Sequence, residues 1–259
     1  MTFAEALHLS PRSAGESTWQ VPDGWQQGRG AFGGLTLAAL AKAASATLSS
    51  ADRPLRTITA EIPAAVVVGP ARIRVTPLRA GNSLSAVAAQ IVQGDDVAAH
   101  AVLNFGKTRD VGFDRGPAAP AFPSYAASSV GSLGSLAPAF AQHFEHRIVR
   151  GYPLSGGEAI AEGWVRLLEP GDVPSPIALL AMIDAWFPSV FPALTEPRPF
   201  ATISFAAHLF DRGWLPHQPL FHRSRLIASQ QGYFAEVREL FDERGELCAI
   251  NQQTMAIIK

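Results

Sequence analysis

The chain repeats one pattern of secondary structure twice, and this repeat constrains the fold more than any other feature. In each half the sequence predicts an apolar, alanine-rich helix, then four strands with a tight hairpin between the last two. A helix that is apolar around most of its circumference must be buried on many sides. The pattern therefore predicts an α+β protein of two tandem units, each with an antiparallel sheet wrapped around a central helix.

The two helices are predicted over residues 33–49 and within residues 171–191, where Pro188 should stop the second one. The hairpins are expected at QGDD and FDERGE, and Gly94 can supply a positive φ in the first of them. The predicted strands of the first half are 17–21, 55–62, 71–79, 83–93 and 96–105. Those of the second half are 144–149, 159–166, 200–210, 220–229, 232–241 and 247–258.

A segment rich in Pro, Ala, Gly and Ser separates the two halves. Residues 112–138 (GFDRGPAAPAFPSYAASSVGSLGSLAP) lack a periodic apolar face, which is typical of a linker. We therefore predict an N-terminal unit over 1–110, a linker over 111–139, and a C-terminal unit over 140–259.

Composition restricts the compartment and the partners. Hydrophobic residues make up 47% of the 259 residues and charged residues 17%, so a substantial core is expected rather than disorder. A net charge of −1 gives no field that would attract nucleic acid or an anionic membrane. Cys248 is the only cysteine and cannot form an internal disulfide, which favours a reducing compartment.

Neither a membrane span nor a metal site is expected. The apolar stretches 35–48 and 177–191 are too short or too interrupted by proline to cross a bilayer. The first residues, MTFAEALHLSPRSAG, do not resemble a signal peptide, so a cytoplasmic location is predicted. No His/Cys spacing is typical of zinc.

Several motifs in both halves together resemble those of one known family. In the first half these are AFGGLTLAALAKA and LRAGNSLSAVAAQIVQGDDVAAHAVLNF. In the second half they are FEHRIVRGYPLSG, EGWVRLLEPGD, LLAMIDAWFP, ATISFAAHLFDR and RGELCAINQQTMAIIK. With these motifs the chain resembles the acyl-CoA thioesterase II-like family of double hot-dog proteins over nearly its whole length, with order and spacing that agree throughout. This resemblance implies a double hot-dog fold and hydrolysis of acyl-CoA, without cofactor or metal, in a chain expected to form a homo-oligomer.

The family's catalytic trio is an aspartate, a threonine or serine, and a glutamine, and the resemblance carries these roles onto Asp184, Thr202 and Gln253. Gln252 is an alternative one residue out of register. Neighbouring residues of a strand point to opposite faces, so only one of the two glutamines can enter the site. We favour Gln253.

The chemistry needs a water made nucleophilic and an oxyanion stabilised. Asp184 lies near the end of an apolar helix, where desolvation would raise its pKa and make it a better general base. Thr202 and Gln253 would hold the water by hydrogen bonds. Gly33 and Gly34, at the start of the first helix, are candidate oxyanion donors, because a helix N-terminus carries unpaired N–H groups.

Simpler interpretations stay open for single residues. Asp184 alone could be a buried acid paired with an arginine, and Gly33 and Gly34 could merely allow close helix packing. A non-catalytic acyl-CoA-binding protein of the same fold is the main alternative function. An enoyl-CoA hydratase is disfavoured, since the Asp95 and His100 pair falls in the late hairpin and strand.

Overall fold

The structure is a computed structural model that describes residues 1–48, 52–131, 134, 137–210 and 213–258. In this part of the chain twelve strands form one sheet in which every neighbouring pair is antiparallel, and two further short strands pair with each other. The helices are α1 (Phe3–Ala6), α2 (Gly33–Ser45) and α3 (Ser175–Asp184). Within these residues, no helix has the length and apolar character needed to cross a lipid bilayer.

The strand bounds follow the predicted repeat closely. The first-half strands are β1 (Leu9–Ser13), β2 (Glu16–Val21), β3 (Gln26–Gln27), β4 (Gly30–Ala31), β5 (Leu55–Glu61), β6 (Gly69–Ala80), β7 (Leu84–Gln93) and β8 (Asp96–Gly106). The second-half strands are β9 (Phe144–Arg150), β10 (Ile160–Leu167), β11 (Phe200–Leu209), β12 (Leu220–Gln230), β13 (Tyr233–Phe241) and β14 (Leu247–Ile257).

Strand order shows that the two halves mirror each other across one seam. The sheet runs β1-β2-β6-β7-β8-β5 through the first half and continues β11-β14-β13-β12-β10-β9 through the second. The seam is the antiparallel pair β5–β11, in which Phe205 faces Ala60 and His208 faces Thr57. The tandem units therefore share one continuous sheet.

The two long helices lie against each other and are buried along most of their length. Ten of the thirteen residues of α2 are buried, and eight of the ten residues of α3, which matches their apolar, alanine-rich sequences. Helix α2 packs on β5, β6, β7 and β8, and α3 packs on β10, β11, β13 and β14.

Two helix ends differ from the sequence prediction. Helix α2 ends at Ser45 instead of continuing to residue 49, which lies outside the described residues. Helix α3 ends at Asp184, before the predicted stop at Pro188. Gly94 has the expected positive φ, at +60°, and Gly245 in the second hairpin is also in the left-handed region, at +81°.

The described part of the segment between the halves packs on the second half. Phe122 stacks on Phe221 with ring centroids 4.4 Å apart, and meets Trp164 edge-on. The Arg147 guanidinium lies over the Tyr125 ring at 3.8 Å. These contacts form a second apolar cluster on the sheet face that points away from the helices.

Candidate active site

Asp184 lies at the last position of α3, where the helix of the second half reaches the start of α2 from the first half. Its side chain is only 7% exposed. Its Oδ1 accepts a hydrogen bond from Arg238 Nη1 at 3.2 Å. The buried acid therefore has an arginine partner, as the simpler interpretation of Asp184 expected.

The two glycines at the start of α2 differ in their surroundings. A Cβ on Gly33 would lie 2.6 Å from Oδ2 of Asp184, whereas a Cβ on Gly34 would meet the Phe32 ring and the Ala181 backbone. Helix α2 has no side-chain cap of its own. The Gly34 N–H faces the Asp184 carboxylate and favours its charged form, so the second half of the chain contributes a carboxylate to the N-terminus of a helix of the first.

The glutamine that points to this site is Gln253. It is 1% exposed, and its Oε1 accepts a long hydrogen bond of 3.4 Å from the Thr202 hydroxyl. Gln253 also favours the charged form of Asp184. Gln252, on the opposite face of β14, is exposed to solvent. Asp184, Thr202 and Gln253 thus form one connected group of side chains.

Burial decides the charge state of Asp184. Loss of solvation raises the pKa of its carboxyl to about 6, against an ordinary value of 3.8, even though Arg238, the Gly34 N–H and Gln253 all favour the charged form. A carboxylate with a pKa just below neutrality is ionised at pH 7 and basic enough to take a proton from water. An amide and a hydroxyl beside it can orient that water.

Two charged residues that the sequence analysis did not identify complete the group. Glu236 and Arg238 lie on β13, with Glu236 fully buried and Arg238 1% exposed. Glu236 Oε1 accepts from Gln253 Nε2 at 3.1 Å and from Arg238 Nε at 2.6 Å. Its Oε2 accepts from both the N–H and the hydroxyl of Ser189 at 2.6 Å.

The sequence carried a signal for these residues. In the strand YFAEVRELF, alternation puts Glu236 and Arg238 on the same face as Phe234 and Leu240. Two opposite charges two residues apart on an apolar face are rarely buried unless they are paired. This pattern alone would have identified a buried ion pair, although not its contact with Asp184.

The mirrored strands of the first half hold no such group. Pairing registers and bulges on the two sides of the seam identify the equivalent positions. These equivalents are Leu55 for Thr202, Leu103 for Gln253, Val87 for Glu236 and Ala89 for Arg238. All four are buried and apolar, so the polar group belongs to one side of the pseudo-twofold only.

Other candidate chemistry is absent from the described residues or lies elsewhere. Within the part of the chain that the structure describes, no group of three or more His, Cys, Asp or Glu side chains could hold a metal ion. His100 of β8 bonds the exposed Glu61 of β5 through Nδ1 at 3.2 Å. A cavity of about 560 Å³ lies between β9 and the segment before it, and Asp184 is not among the residues that line it.

Two family models match most of the amino-acid sequence. The family model of the acyl-CoA thioesterase N-terminal domain matches residues 21–106, and that of the acyl-CoA thioesterase C-terminal domain matches residues 113–257. No curated protein matches the chain in sequence.

Several solved structures share the whole fold. A conserved protein of unknown function with a hot dog fold from Alicyclobacillus acidocaldarius superposes with a TM-score of 0.90 at 24% identity, over 99% of this chain and 98% of the other. The acyl-CoA thioesterase II TesB2 from Mycobacterium marinum gives 0.82 at 19% identity, with the same coverage of both chains. A tesB protein from Mycobacterium avium subs paratuberculosis gives 0.81 at 20% identity, again over 99% and 98%. These likenesses confirm the hot-dog fold that the sequence predicted, and the two family models show that this chain belongs to the acyl-CoA thioesterase family.

Proposed function

We propose that the protein hydrolyses acyl-CoA thioesters to a carboxylic acid and CoA, using a water activated by Asp184, Thr202 and Gln253. The observation that carries this proposal is a buried carboxylate with a pKa of about 6 in contact with an amide that a threonine hydroxyl also reaches. Family membership supports the same chemistry.

Each member of the trio has a distinct role in the proposed reaction. Asp184 accepts one proton of the water as general base, and this proton passes to the CoA sulfur when the thioester C–S bond breaks. Gln253 Oε1 accepts the second hydrogen. The Thr202 hydroxyl, whose bond to Gln253 is long, turns to donate to the same water. The remaining lone pair then faces the thioester carbon, and such alignment is worth several kcal/mol, roughly 7–11 at most.

The oxyanion is proposed to form at the start of α2, near Gly33 and Gly34. The Gly34 N–H is engaged by Asp184 in the free protein, so we assign the oxyanion to the Gly33 N–H. That N–H belongs to the first turn, whose donors have no partner within the helix. The missing side chain at Gly33 lets the Asp184 carboxylate lie close to this helix start. In this scheme α2 and α3 are the central helices of the two hot-dog units.

Binding of acyl-CoA without hydrolysis is the second candidate function. One contact favours it: the Arg238 guanidinium 3.2 Å from Asp184 stabilises the ionised carboxylate and weakens it as a base. The two functions differ in whether CoA is released.

The test measures CoA thiol release from short, medium, long and aryl acyl-CoAs, together with calorimetric binding of a non-hydrolysable thioether analogue. We expect turnover by the wild type, and a loss of roughly 100-fold or more in kcat for Asp184→Asn with the analogue still bound. Thr202→Val should also lower kcat, whereas Ser204→Ala, a nearby residue of the same strand, should not. Binding of the analogue with no thiol release from any substrate would leave the binding function instead.

A further inference from the structure

We propose that Glu236 and Arg238 are positioning residues that fix the amide of Gln253 and hold the general base in place. The inference rests on the proposed function and extends it to two residues that need not touch the substrate. Two observations carry it: the direction of the hydrogen bonds to Glu236, and the contacts by which Arg238 bridges Glu236 and Asp184. A second ion pair, on the other face of the same strand, supplies a control.

Glu236 determines which end of the Gln253 amide faces the site. A glutamine side chain can present either oxygen or nitrogen, but an ionised carboxylate offers only acceptors. Both oxygens of Glu236 accept hydrogen bonds, from Ser189 and from Arg238, so Glu236 acts here as an acceptor and only the Nε2 end of Gln253 can bond to it. Oε1 is thereby turned toward Thr202, where it can accept a hydrogen from the water.

Arg238 links Glu236 to the end of α3. Its Nε donates to Glu236, while its Nη1 lies 3.2 Å from Oδ1 of Asp184 and 3.3 Å from the carbonyl oxygens of Ile183 and Asp184. The last carbonyls of a helix have no partner within the helix, and a cation at this end is favourable. One guanidinium therefore sets the position of the aspartate and of the turn that carries it.

The two acids share this arginine, so each affects the other. The negative charge of Glu236 opposes ionisation of Asp184, while the charge of Arg238 favours it. If residue 236 were neutral, the positive charge of Arg238 would act on Asp184 alone, and the Asp184 carboxylate would become a weaker base.

Among the residues that the structure describes, the other groups that face Asp184 and its helix end carry no further charge at neutral pH. Gly34 faces it from α2 with a backbone N–H, and Gln253 faces it from β14. His146 Nε2 lies 3.0 Å from the Ala185 carbonyl oxygen, and burial lowers the pKa of His146 and that of His222, next to Arg238, so both are neutral. Glu236 is thus the acid that balances Arg238.

The same strand supplies a matched control. Glu239 is 6% exposed and forms a two-pronged ion pair with Arg223, both nitrogens at 2.7 Å from Oε2. It points to the opposite face of β13, away from Gln253. Glu236→Gln and Glu239→Gln each remove one buried charge from one strand, but only the first removes a contact of the proposed trio.

The experiment compares kcat, KM and the pH profile of kcat for the wild type, Glu236→Gln and Glu239→Gln, after thermal unfolding shows that each is folded. Glu236→Gln should lower kcat roughly 10- to 100-fold, which is the loss typical when a residue that orients a functional side chain is removed, with KM nearly unchanged. Its acidic limb should move to lower pH, because Asp184 becomes a weaker base. Glu239→Gln should retain the wild-type profile.

Ser189→Ala provides a milder second variant, since it removes one of the donors that hold Glu236 and leaves the charge in place. It should lower kcat several-fold, and the effect should vanish in a Gln253→Ala background because both changes act through the same amide. Wild-type kcat with an unmoved acidic limb in folded Glu236→Gln would overturn the positioning role while leaving thioesterase activity intact. Should that variant not fold, wild-type kcat in Ser189→Ala would overturn it instead. A wild type that releases no CoA would remove the proposed function and this inference together.

Discussion

Arg238 Nη1 lies 3.2 Å from Oδ1 of Asp184, so the proposed general base is also a member of a buried ion pair. These two facts have opposite effects on the carboxylate. Removal from water disfavours the charge, while the arginine favours it. The first effect is the larger, and it raises the pKa of Asp184 to about 6. The site therefore retains a base that is ionised, yet not strongly stabilised, at neutral pH.

Activity should fall in acid with an inflection set by Asp184. Because the base works only when ionised, kcat should be constant above neutrality and decline about tenfold per pH unit well below pH 6. The measurement is initial-rate CoA release from pH 4.5 to 8.5, with a return to pH 7.5 to show that the protein has not unfolded. A rate that stays level down to pH 5 would exclude Asp184 as the base.

Asp184 should also make the free energy of unfolding depend on pH, and its contribution should fall as pH rises, whereas activity should increase. The pKa in the folded protein, about 6, lies above the ordinary 3.8, so the folded state keeps this proton while the unfolded chain releases it. The contribution of Asp184 is therefore present below pH ~4 and is lost as pH rises through ~6, by up to ~3 kcal/mol. Urea unfolding of wild type and Asp184→Asn should show their difference growing over that window in favour of the variant. A constant difference would contradict the raised pKa, since His146 and His222 contribute equally to both proteins.

The two adjacent glutamines should have opposite sensitivities. Gln253→Ala removes a buried side chain that is bonded to Glu236 and Thr202 and favours the charged form of Asp184, and we expect a loss of at least roughly 10-fold in kcat. Gln252→Ala changes an exposed side chain on the other face of β14 and should leave kcat within about twofold. Steady-state kinetics of both variants check the register, and the reverse result would place Gln252 in the site.

The two adjacent glycines should separate catalysis from stability. Gly33→Ala puts a methyl group 2.6 Å from Oδ2 of Asp184, so we expect the carboxylate to be displaced and kcat to fall at least roughly tenfold. Gly34→Ala forces a methyl group against the Phe32 ring and the Ala181 backbone, and should cost about 1–3 kcal/mol of unfolding free energy. Thermal melts and kcat for both variants test this, and equal losses of activity and stability in the two would contradict it.

Much of the architecture could be predicted from local sequence patterns. Periodicity and turn residues placed the long strands within a few residues, and the repeat led to the two units, because these signals are encoded in neighbouring residues. The short elements α1, β1, β3 and β4 were missed, since they contain too few residues to show a period. Helix α3 ends at Asp184, four residues before Pro188, which lacks the N–H that the Asp184 carbonyl would need, and Arg238 binds this carbonyl instead.

The candidate site was predictable only in part. The family resemblance named Asp184, Thr202 and Gln253, whose catalytic role stays a prediction until it is measured. Spacing along the chain could not show that Arg238 would reach Asp184, because 54 positions separate them and the contact depends on how α3 packs on β13. The contact of Asp184 with Gly33 crosses between the two halves of the chain and was hidden for the same reason.

The seam between β5 and β11 has a consequence for how the polypeptide could be divided. Each half carries its own helix and strands, yet Asp184 of one half is completed by the start of α2 in the other. Either fragment produced alone would expose a long unpaired strand edge, which invites self-association. Mixing the two fragments should restore turnover only as the edges join, so enzyme assays of the mixture would report complementation directly.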